Sequence, residues 1–374
     1  MAVELASRKR LSVAIVAPSL AILGGQAVQA RRLLDAWRND PDVDAWLVPI
    51  NPLPPPGLRW TQKIKYIRTI ATQLSYWPLL ARELRRADVV HVFSASYSSF
   101  LLAPLPAVLM ARAARRPILM NYRSGEAPDH LRRSSIARST LRAVRNVVPS
   151  RFLREVFSSH GIDARVIPNI IDRDRFAFRL RDALRPRLLS TRNFEPLYDV
   201  ACTLRAFERV QARWPDATLT LVGAGSQEST LRRLAAELTL RGVHFAGPVE
   251  PDRIWRFYAD ADIYIQSPNI DNMPSSVLEA YASGLPVVST NAGGIPAILT
   301  HGVHGFVAAI DDHDGLAAHV LRLLDDPPLA RRIALAAYDA TSELLWDRVR
   351  LEWLDAYRSL LTNPMPVGSA IRSV

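Results

Sequence analysis

Short runs of aliphatic and β-branched residues alternate with longer stretches of helical character along the whole chain. Most positions of the runs are apolar, which is typical of parallel strands covered by helices on both faces. We therefore predict an α/β fold of the doubly wound type. The predicted strands are Leu11–Ala17, Ala45–Ile50, Asp88–Phe93, Pro117–Tyr122, Asn146–Pro149, Ala164–Pro168, Arg187–Ser190, Thr218–Val222, Val243–Ala246, Asp262–Gln266 and Pro286–Ser289.

An arginine-rich stretch near the middle of the chain predicts a boundary between two domains, which a length of 374 residues also favours. The predicted segments are a first domain over 1–168, a linker over 169–187, a second domain over 188–344 and a C-terminal segment over 345–374. In the last segment, apolar residues at helical spacing predict a helix over Trp346–Leu361. We expect the tail beyond Asn363 to be disordered.

Basic residues are concentrated in the first half of the chain. The net charge is +11, but the residues up to Arg187 contain 31 Lys and Arg against 14 Asp and Glu, whereas the remainder contains 16 against 22. This asymmetry indicates that the first half meets an anionic partner. That partner could be nucleic acid, a membrane surface or a phosphorylated acceptor.

Localisation is indicated by one cysteine and by the lengths of the apolar runs. The chain has a single cysteine, Cys202, which excludes an intramolecular disulfide framework and fits a reducing compartment. Its apolar helical context predicts a buried, inert thiol. Arg8–Arg10 with the apolar run behind it resembles a secretory signal, but the run stops at Pro18, so we predict a first strand and a cytoplasmic protein. Phe100–Ala111 is too short to span a bilayer, and we predict no transmembrane segment.

The stretch from Asp271 to Glu279 carries most of the candidate chemistry. Pro274 suits the first turn of a helix, so Ser275 and Ser276 would present hydroxyl and free N–H groups at the positive helix end, where phosphate binds. Glu279 lies about one turn further on, within reach of a sugar diol, and Asp271 precedes the helix. Together these residues predict a nucleotide-sugar site, although each one alone is explained by a turn, a cap or a solvated helix position.

The following segment, Ala280–Thr290 with Gly293 and Gly294, adds a helix that ends at a glycine, a buried strand and a second glycine turn. On these residues the sequence resembles the retaining glycosyltransferases of family 4, also called group 1, whose donor motif is Glu-x7-Glu. Asp271 stands in place of the first glutamate. The resemblance covers nearly the whole chain and is strongest over 166–307.

The resemblance implies a GT-B fold, in which two facing Rossmann-like domains hold the active site in the cleft between them. The first domain would bind the acceptor, the second would bind the donor, and the last helix would return to the first domain. The implied reaction moves a hexose from a nucleotide-diphosphate sugar to a polysaccharide or lipid-linked acceptor with retention of configuration. Two alternatives stay open, namely a non-catalytic homologue that binds a partner and a nucleotide-sugar epimerase on the same fold.

The family places an arginine and a lysine beside the diphosphate, and here only the arginine is matched. Arg192 aligns with that arginine, whereas Leu197 and Tyr198 stand at the lysine and glycine positions. Arg123 follows the fourth predicted strand, where family members often have a histidine. Arg123 cannot act as a base at neutral pH, so it would either hold the leaving phosphate or form a salt bridge with Glu126.

Further residues are implied at strand ends. Gly24 and Gly25 would let the backbone approach the donor phosphates, Gly223 resembles the glycine turn of the donor domain, and Val243–Val249 resembles the segment that contacts the nucleobase. We predict that His91 is a hydrogen-bonded core histidine, and a catalytic role is the alternative. The candidate catalytic residues are Asp271, Glu279, Arg192 and Arg123, and the candidate donor-binding residues are Gly24, Gly25, Arg192, Gly223, Asn272, Met273, Pro274, Ser275, Ser276 and Glu279.

No cofactor is expected apart from the donor substrate itself. The sequence has no Cys/His cluster with metal-ligand spacing, and the family needs no bound metal, so we expect a metal-independent enzyme. The segment Leu58–Arg86 mixes aromatic and basic residues, as interfacial helices do, and predicts contact with an anionic membrane. An ordinary surface helix is the alternative, and nucleic acid is not favoured because no nucleic-acid motif accompanies the basic residues.

Overall fold

The computed structural model describes residues 10–21 and 24–362. The chain forms two compact units. The first contains the described residues up to Pro149, Leu153–Ile170 and the residues from Asp347 onward. The second contains Ser150–Phe152 and Ile171–Trp346. The predicted disordered tail and residues 8–9 of the signal-like stretch lie outside the described residues.

The first unit is built on a parallel six-stranded sheet. Its strands are β1 (Leu11–Ala17), β2 (Val43–Pro49), β3 (Val89–Ser94), β4 (Ile118–Tyr122), β5 (Arg145–Val148) and β6 (Arg165–Val166). Its helices are α1 (Gly25–Trp37), α2 (Lys65–Glu83), α3 (Tyr97–Leu102), α4 (Pro104–Ala113), α5 (Ala127–Arg133), α6 (Ser135–Arg142) and most of α7 (Arg151–Ser159), with 3-10 turns at Pro56–Lys63 and Leu84–Arg86. The strand order is β2-β1-β3-β4-β5-β6.

The second unit repeats this architecture. Its strands are β7 (Arg187–Ser190), β8 (Thr218–Val222), β9 (Val243–Gly247), β10 (Ile263–Ile265), β11 (Val287–Thr290) and β12 (Gly305–Ala308), all parallel, in the order β12-β11-β10-β7-β8-β9. Its helices are α8 (Val200–Arg213), α9 (Glu228–Glu237), α10 (Trp255–Asp260), α11 (Ser275–Ala282), α12 (His313–Asp325) and α13 (Pro327–Ala340). Further 3-10 turns lie at Pro196–Tyr198, Ile295–Ala297 and Thr341–Leu344.

Each predicted strand is present in the structure, with ends that differ by up to two residues. The continuous apolar runs fill the two cores because helices cover both faces of each sheet; in β3, for example, all six residues are buried. The strand that the sequence did not predict is β12, which has four residues and lies at a sheet edge. It begins with glycine and ends with alanine, which are depleted in strands, so its strand signal is weak.

The order of the strands creates a switch point in each sheet. In the second sheet the chain runs outward from β7 through β8 to β9, and outward in the other direction from β10 through β11 to β12. β7 and β10 pair side by side at the centre. Open α/β sheets bind ligands beyond the carboxyl ends of the strands that flank such a point. In the first sheet the corresponding strands are β1 and β3.

The last helix, α14 (Trp346–Thr362), packs in the first unit. Val349, Trp353 and Tyr357 are buried in it. Arg350 donates to the buried carboxylate of Asp40, with its Nε 2.6 Å from Oδ2. No helix among the described residues combines the length and apolarity that a bilayer-crossing segment needs.

The arginine-rich stretch before β7 packs into the second unit. Arg181 and Arg185 donate to the carboxylate of Asp262, which is buried at the start of β10. The Arg181 guanidinium also donates to backbone carbonyl groups, including those of Gly284 and Ala261. A buried carboxylate needs such compensation, so this stretch anchors the second core.

Candidate functional site

A buried ion pair lies at the switch point of the second sheet. Arg192 follows β7, and its Nη2 donates to Oδ2 of Asp271 at 2.6 Å. Its Nη1 donates to Oγ of Ser276 at 3.2 Å. Burial acts to lower the pKa of Arg192, but the Asp271 carboxylate and the nearby hydroxyls of Tyr198, Tyr264 and Tyr258 together outweigh it, and the pKa is raised. The predicted Arg192, Asp271 and Ser276 are thus brought together.

Asp271 is engaged from two sides. Its Oδ2 accepts from Arg192, and its Oδ1 accepts from the backbone N–H of Asn272 at 2.8 Å. Burial raises the pKa of Asp271, and the positive charge of Arg192 opposes that effect. The carboxylate therefore orients the guanidinium, a role that sequence reasoning did not assign to it.

Tyr198 covers the other side of Arg192. The Arg192 Cζ atom lies 4.0 Å from the centre of the Tyr198 ring, which is a cation–π contact. The Leu197 carbonyl accepts from the N–H of Asn269 at 2.9 Å and so ties this turn to the loop after β10. The two positions that depart from the family pattern therefore hold the arginine and its loop in place.

The N-terminus of α11 opens beside this ion pair. Pro274 is the N-cap in an extended conformation, so the expectation that it lies within the first turn is wrong; the helix starts at Ser275. No side chain caps the end by a hydrogen bond. The first backbone N–H groups of a helix have no intrahelical acceptor and favour an anion. Ser275 and Ser276 occupy these first positions, as predicted from the sequence.

Glu279 is buried on α11 and contacts residues that the sequence did not point to. Its Oε2 accepts from the Tyr258 hydroxyl at 2.8 Å, and its relative exposure is 7%. The same hydroxyl lies 2.8 Å from Oγ1 of Thr191, next to Arg192. Burial and the Glu279 charge together raise the pKa of Tyr258 well above its usual range. A solvated helix position is therefore excluded for Glu279.

Asn272 and Met273 complete the loop before α11, and both are buried. The Ser150 hydroxyl donates to Oδ1 of Asn272. Nδ2 of Asn272 and Nε of Arg192 are buried and have no hydrogen-bond partner among the described residues. Buried polar groups are nearly always paired, so these two donors make the loop and the ion pair a candidate ligand-binding site.

Two glycines allow the loops of this site to meet. Gly223 has φ +152, and a Cβ there would collide with the Arg192 carbonyl oxygen. Gly293 has φ +52, and a Cβ there would collide with the Asp271 carbonyl oxygen. Both conformations disfavour other residues. Gly223 thus supports the Arg192 loop from behind.

In the first unit, Gly24 and Gly25 begin α1 at the carboxyl end of β1. Gly24 is the N-cap and is extended, with φ 177, and its carbonyl accepts from the N–H of Val28 at 3.1 Å. A Cβ on either glycine would meet no atom within 4 Å. Neither glycine is required by packing, which leaves room for a ligand at this helix end.

Arg123 follows β4 and is partly buried in the first unit. Its guanidinium donates to Oδ1 of Asn169 and, at 3.4 Å, to Oδ1 of Asn121, and its Cζ lies 5.2 Å from the centre of the Phe93 ring. Burial lowers its pKa to about 9. Glu126 interacts with Ser124 instead, so the predicted Arg123–Glu126 salt bridge is not formed.

His91 is a core residue behind Arg123. Its Nε2 lies 3.1 Å from Nδ2 of Asn121, and its Nδ1 lies 2.8 Å from the Tyr357 hydroxyl. The Asn121 amide points its oxygen at Arg123 and its nitrogen at His91, so Nε2 is the accepting atom. Burial, with a contribution from Arg123, lowers the His91 pKa to about 3. His91 is neutral and fixes Asn121.

Two further expectations concern reactive and metal-binding groups. Cys202 is buried, and burial raises its pKa to about 12, as expected for an inert thiol. Among residues 10–21 and 24–362, no group of three His, Cys, Asp or Glu side chains is placed to hold a metal ion.

Two family descriptions match the chain, one in each half. "Glycosyltransferase Family 4" matches residues 23–175, and "Glycosyl transferases group 1" matches residues 172–340. The chain belongs to glycosyltransferase family 4. The second match includes Arg192, Asp271 and Glu279. The first includes Gly24, Gly25 and Arg123.

Several relatives of this family 4 protein have named activities. It is 32% identical over 212 residues to a glycogen synthase of Mycobacterium tuberculosis. The matched region covers 55% of this chain and 50% of the relative. The chain thus spans about half the length of that relative. It is 27% identical over 303 residues to the GDP-mannose-dependent alpha-(1-6)-phosphatidylinositol monomannoside mannosyltransferase of Mycolicibacterium smegmatis, covering 73% of this chain and 78% of the relative.

Solved structures confirm the predicted fold of the family 4 chain. The crystal structure of Anabaena HepE in complex with UDP and glucose superposes with a TM-score of 0.73 and 18% identity, covering 94% of this chain and all of the other. A sucrose-phosphate synthase from Thermosynechococcus elongatus gives a TM-score of 0.71 at 18% identity, with 94% of this chain covered and 100% of the other. At these identities the likeness concerns the fold alone.

Proposed function

We propose that this protein is a glycosyltransferase that moves a hexose from a nucleotide-diphosphate sugar to a lipid-linked or polysaccharide acceptor. The observation that carries the proposal is the cluster at the switch point of the second sheet. There Arg192 lies 3.2 Å from Ser276, at the N-terminus of the same helix that buries Glu279. An anion-binding helix end with an arginine on one side and a carboxylate one turn further along suits a diphosphate next to a ribose.

The names of the relatives support this substrate class. One mannosyltransferase relative is named as GDP-mannose-dependent and as acting on a phosphatidylinositol mannoside. A glycogen synthase is named for a polysaccharide product. A structural neighbour was crystallised with UDP-glucose. Both kinds of acceptor named in our proposal are therefore represented among proteins similar to this chain.

We assign the roles from the contacts of each residue. Glu279 binds the ribose diol, while Arg192 and the Ser275–Ser276 helix end bind the diphosphate. Asp271 orients Arg192 and, with the Asn272–Met273 backbone, the transferred sugar. Gly24, Gly25 and Arg123 supply the anion-binding groups of the first unit. Stabilising a departing charge is often the largest single term in catalysis.

We further propose that transfer retains the anomeric configuration and needs no bound metal. Asp271 is held by Arg192 at 2.6 Å, so its carboxylate is not free to act as a base. The leaving phosphate would then take the proton of the acceptor hydroxyl on the same face of the sugar. We place the protein on the cytoplasmic side of an anionic membrane, where a lipid-linked acceptor is within reach.

A donor panel tests the proposal. The purified protein is incubated with UDP-, GDP- and ADP-hexoses, with and without a chelator, and release of nucleoside diphosphate is followed. We expect one base to be preferred, release to survive chelation, and NMR of the glycoside to show the anomeric configuration of the donor. Isomerised sugar nucleotide would identify an epimerase instead. If no nucleotide sugar binds at millimolar concentration, the protein is a non-catalytic homologue.

The contact between Tyr198 and Arg192 leads to a separate prediction. Tyr198→Ala removes the ring from the guanidinium and should weaken binding of the preferred nucleoside diphosphate about fivefold, because a cation–π contact is worth about 1 kcal/mol. Tyr198→Phe keeps the ring and serves as the matched control, with affinity within twofold of the parent. Calorimetric titration measures both. Equal losses in the two variants would contradict a role for the ring.

A further inference from the structure

One face of α2 presents an apolar stripe to solvent. Tyr66, Ile70, Leu74 and Trp77 recur at spacings of four, four and three residues, and Ile67 widens the stripe. Their side chains are all exposed, with relative exposures of 78% for Tyr66, 62% for Ile70 and 71% for Leu74. The stripe is about 16 Å long at the rise of an α-helix. Contiguous exposed apolar surface of this kind marks an interaction site.

The residues of the stripe do not pack α2 against the rest of the first unit. Other positions of the helix are buried for that purpose, namely Ala71, Tyr76 and Leu80. The Tyr76 hydroxyl donates to the Ala103 carbonyl at 3.0 Å. Tyr76 is therefore a core residue and does not belong to the aromatic residues of the exposed stripe. The segment Leu58–Arg86 is formed by a 3-10 turn, α2 and a second 3-10 turn.

Neighbouring residues enlarge the apolar surface. Nε2 of Gln73 donates to the Leu102 carbonyl at 2.9 Å, so the end of α3 lies against α2. Leu101 and Leu102 are themselves exposed. Trp60, in the turn before α2, has 56% of its surface exposed. Aromatic residues therefore stand at both ends of the stripe, Trp60 and Tyr66 at one and Trp77 at the other.

The charged residues of the segment that carries the stripe are of one sign. No Asp or Glu occurs between Asp44 and Glu83, a stretch that includes the turn and nearly all of α2. Arg59 and Arg68 are exposed within it. Glu83 itself is buried and forms ion pairs with exposed arginines. A second copy of this chain would bring like charges together on docking here, which is unfavourable.

We propose that the α2 stripe docks this protein on an anionic bilayer, with the helix axis parallel to the membrane and the stripe at the boundary between headgroups and acyl chains. The proposal deepens the membrane location given under the proposed function and rests on it. Aliphatic residues enter the acyl region, aromatic rings take the headgroup level and arginines meet anionic lipid, which is the pattern of interfacial helices. The acceptor-binding half of the protein would then be held against a lipid-linked acceptor.

Vesicle sedimentation tests the proposal with the full chain. Vesicles of phosphatidylcholine with phosphatidylglycerol are compared with vesicles of phosphatidylcholine alone, at low and high salt. The double variant Ile70→Gln with Leu74→Gln removes the centre of the stripe but keeps charge and helix propensity. Leu351→Gln is the matched control, because Leu351 is 61% exposed on α14. Arg59→Gln with Arg68→Gln tests the charge contribution.

The parent protein should bind the anionic vesicles, less strongly at high salt, and the Ile70/Leu74 variant should bind at least tenfold more weakly. Burying one aliphatic side chain is worth roughly a tenfold change or more. Leu351→Gln should bind like the parent, and the arginine variant should lose most of the salt dependence. All variants should release nucleoside diphosphate at the parental rate without vesicles, and their melting temperatures should not change.

Three results would overturn the docking surface. The first is no binding of the parent protein to anionic vesicles at low salt. The second is equal weakening by Leu351→Gln. The third is that the parent protein forms a dimer and binds no vesicles, and that the Ile70/Leu74 variant is monomeric. This result would assign the stripe to contact with a second copy of the chain. If vesicle binding follows the expected pattern but no donor is turned over, the docking surface is supported and the proposed function is refuted.

Discussion

Replacing Glu279 with glutamine is expected to lower kcat/KM for the nucleotide-sugar donor about 100-fold while the protein stays folded. A carboxylate accepts two hydrogen bonds from a diol, and each charge-assisted bond contributes roughly 1.5–3 kcal/mol. The amide keeps the shape of the side chain but can accept only on its oxygen. Since the Tyr258 hydroxyl donates to Oε2 at 2.8 Å, that contact can persist with the amide oxygen. Initial rates of nucleoside diphosphate release measure the effect.

Two control variants make the Glu279 result interpretable. Glu237→Gln changes the same residue type at an exposed position of α9, where the side chain is 62% exposed, and should leave kcat/KM unchanged. Tyr258→Phe removes the hydroxyl that orients Glu279 and should cost less than the loss of the carboxylate itself, about tenfold for one hydrogen bond to a charged group. An unchanged rate for Glu279→Gln would remove this residue from donor binding. A fall in rate matched by a fall in melting temperature would make its role structural.

The strands of both sheets could be predicted because a buried parallel strand leaves a local signal. Leu11–Ala17 and Thr218–Val222 are runs rich in aliphatic and β-branched residues that end before a proline or a glycine, and both are found at the predicted residues. The signal of β12 is weaker, because its four residues include glycine and alanine, which are depleted in strands. The local sequence pattern therefore predicts eleven of the twelve strands and misses this one.

The site was predictable where its residues are neighbours in sequence. Ser275, Ser276 and Glu279 lie on one helix, so their relation follows from helical geometry. Tyr258 could not be found this way, because it meets Glu279 only through the packing of α10 against α11. Its position on a short apolar helix predicts a core residue and nothing more.

Asp271 shows how tertiary contacts change the meaning of a predicted residue. From the sequence it was a sugar-binding carboxylate one methylene shorter than the family's glutamate. In the structure it pairs with Arg192, 79 positions away in the sequence. An ion pair between residues so far apart leaves no pattern in either segment. The departure at Tyr198 is explained by the same cluster, in which the Tyr198 ring covers the guanidinium.

Replacing Arg123 with methionine is expected to reduce turnover by about 10²- to 10³-fold, the usual cost of losing one preorganised group that stabilises a departing charge. Methionine keeps much of the side-chain length and the contact with the Phe93 ring. The matched control is Arg154→Met, since Arg154 is exposed on α7 of the same chain. Its turnover should stay within twofold of the parent. Steady-state rates at saturating donor separate the two variants.

The same Arg123 variant should be at least as stable as the parent protein. Among the described residues Arg123 forms no ion pair, and only asparagine side chains accept from its guanidinium. Burial lowers its pKa to about 9, so the charged form is less favourable in the fold than in the unfolded chain. The charge therefore costs stability at every pH below about 9, and its removal should leave the melting temperature equal or higher. Lower turnover of Arg123→Met without a loss of stability would show that the arginine serves substrate binding. A marked fall in its melting temperature would show instead that the arginine is structural.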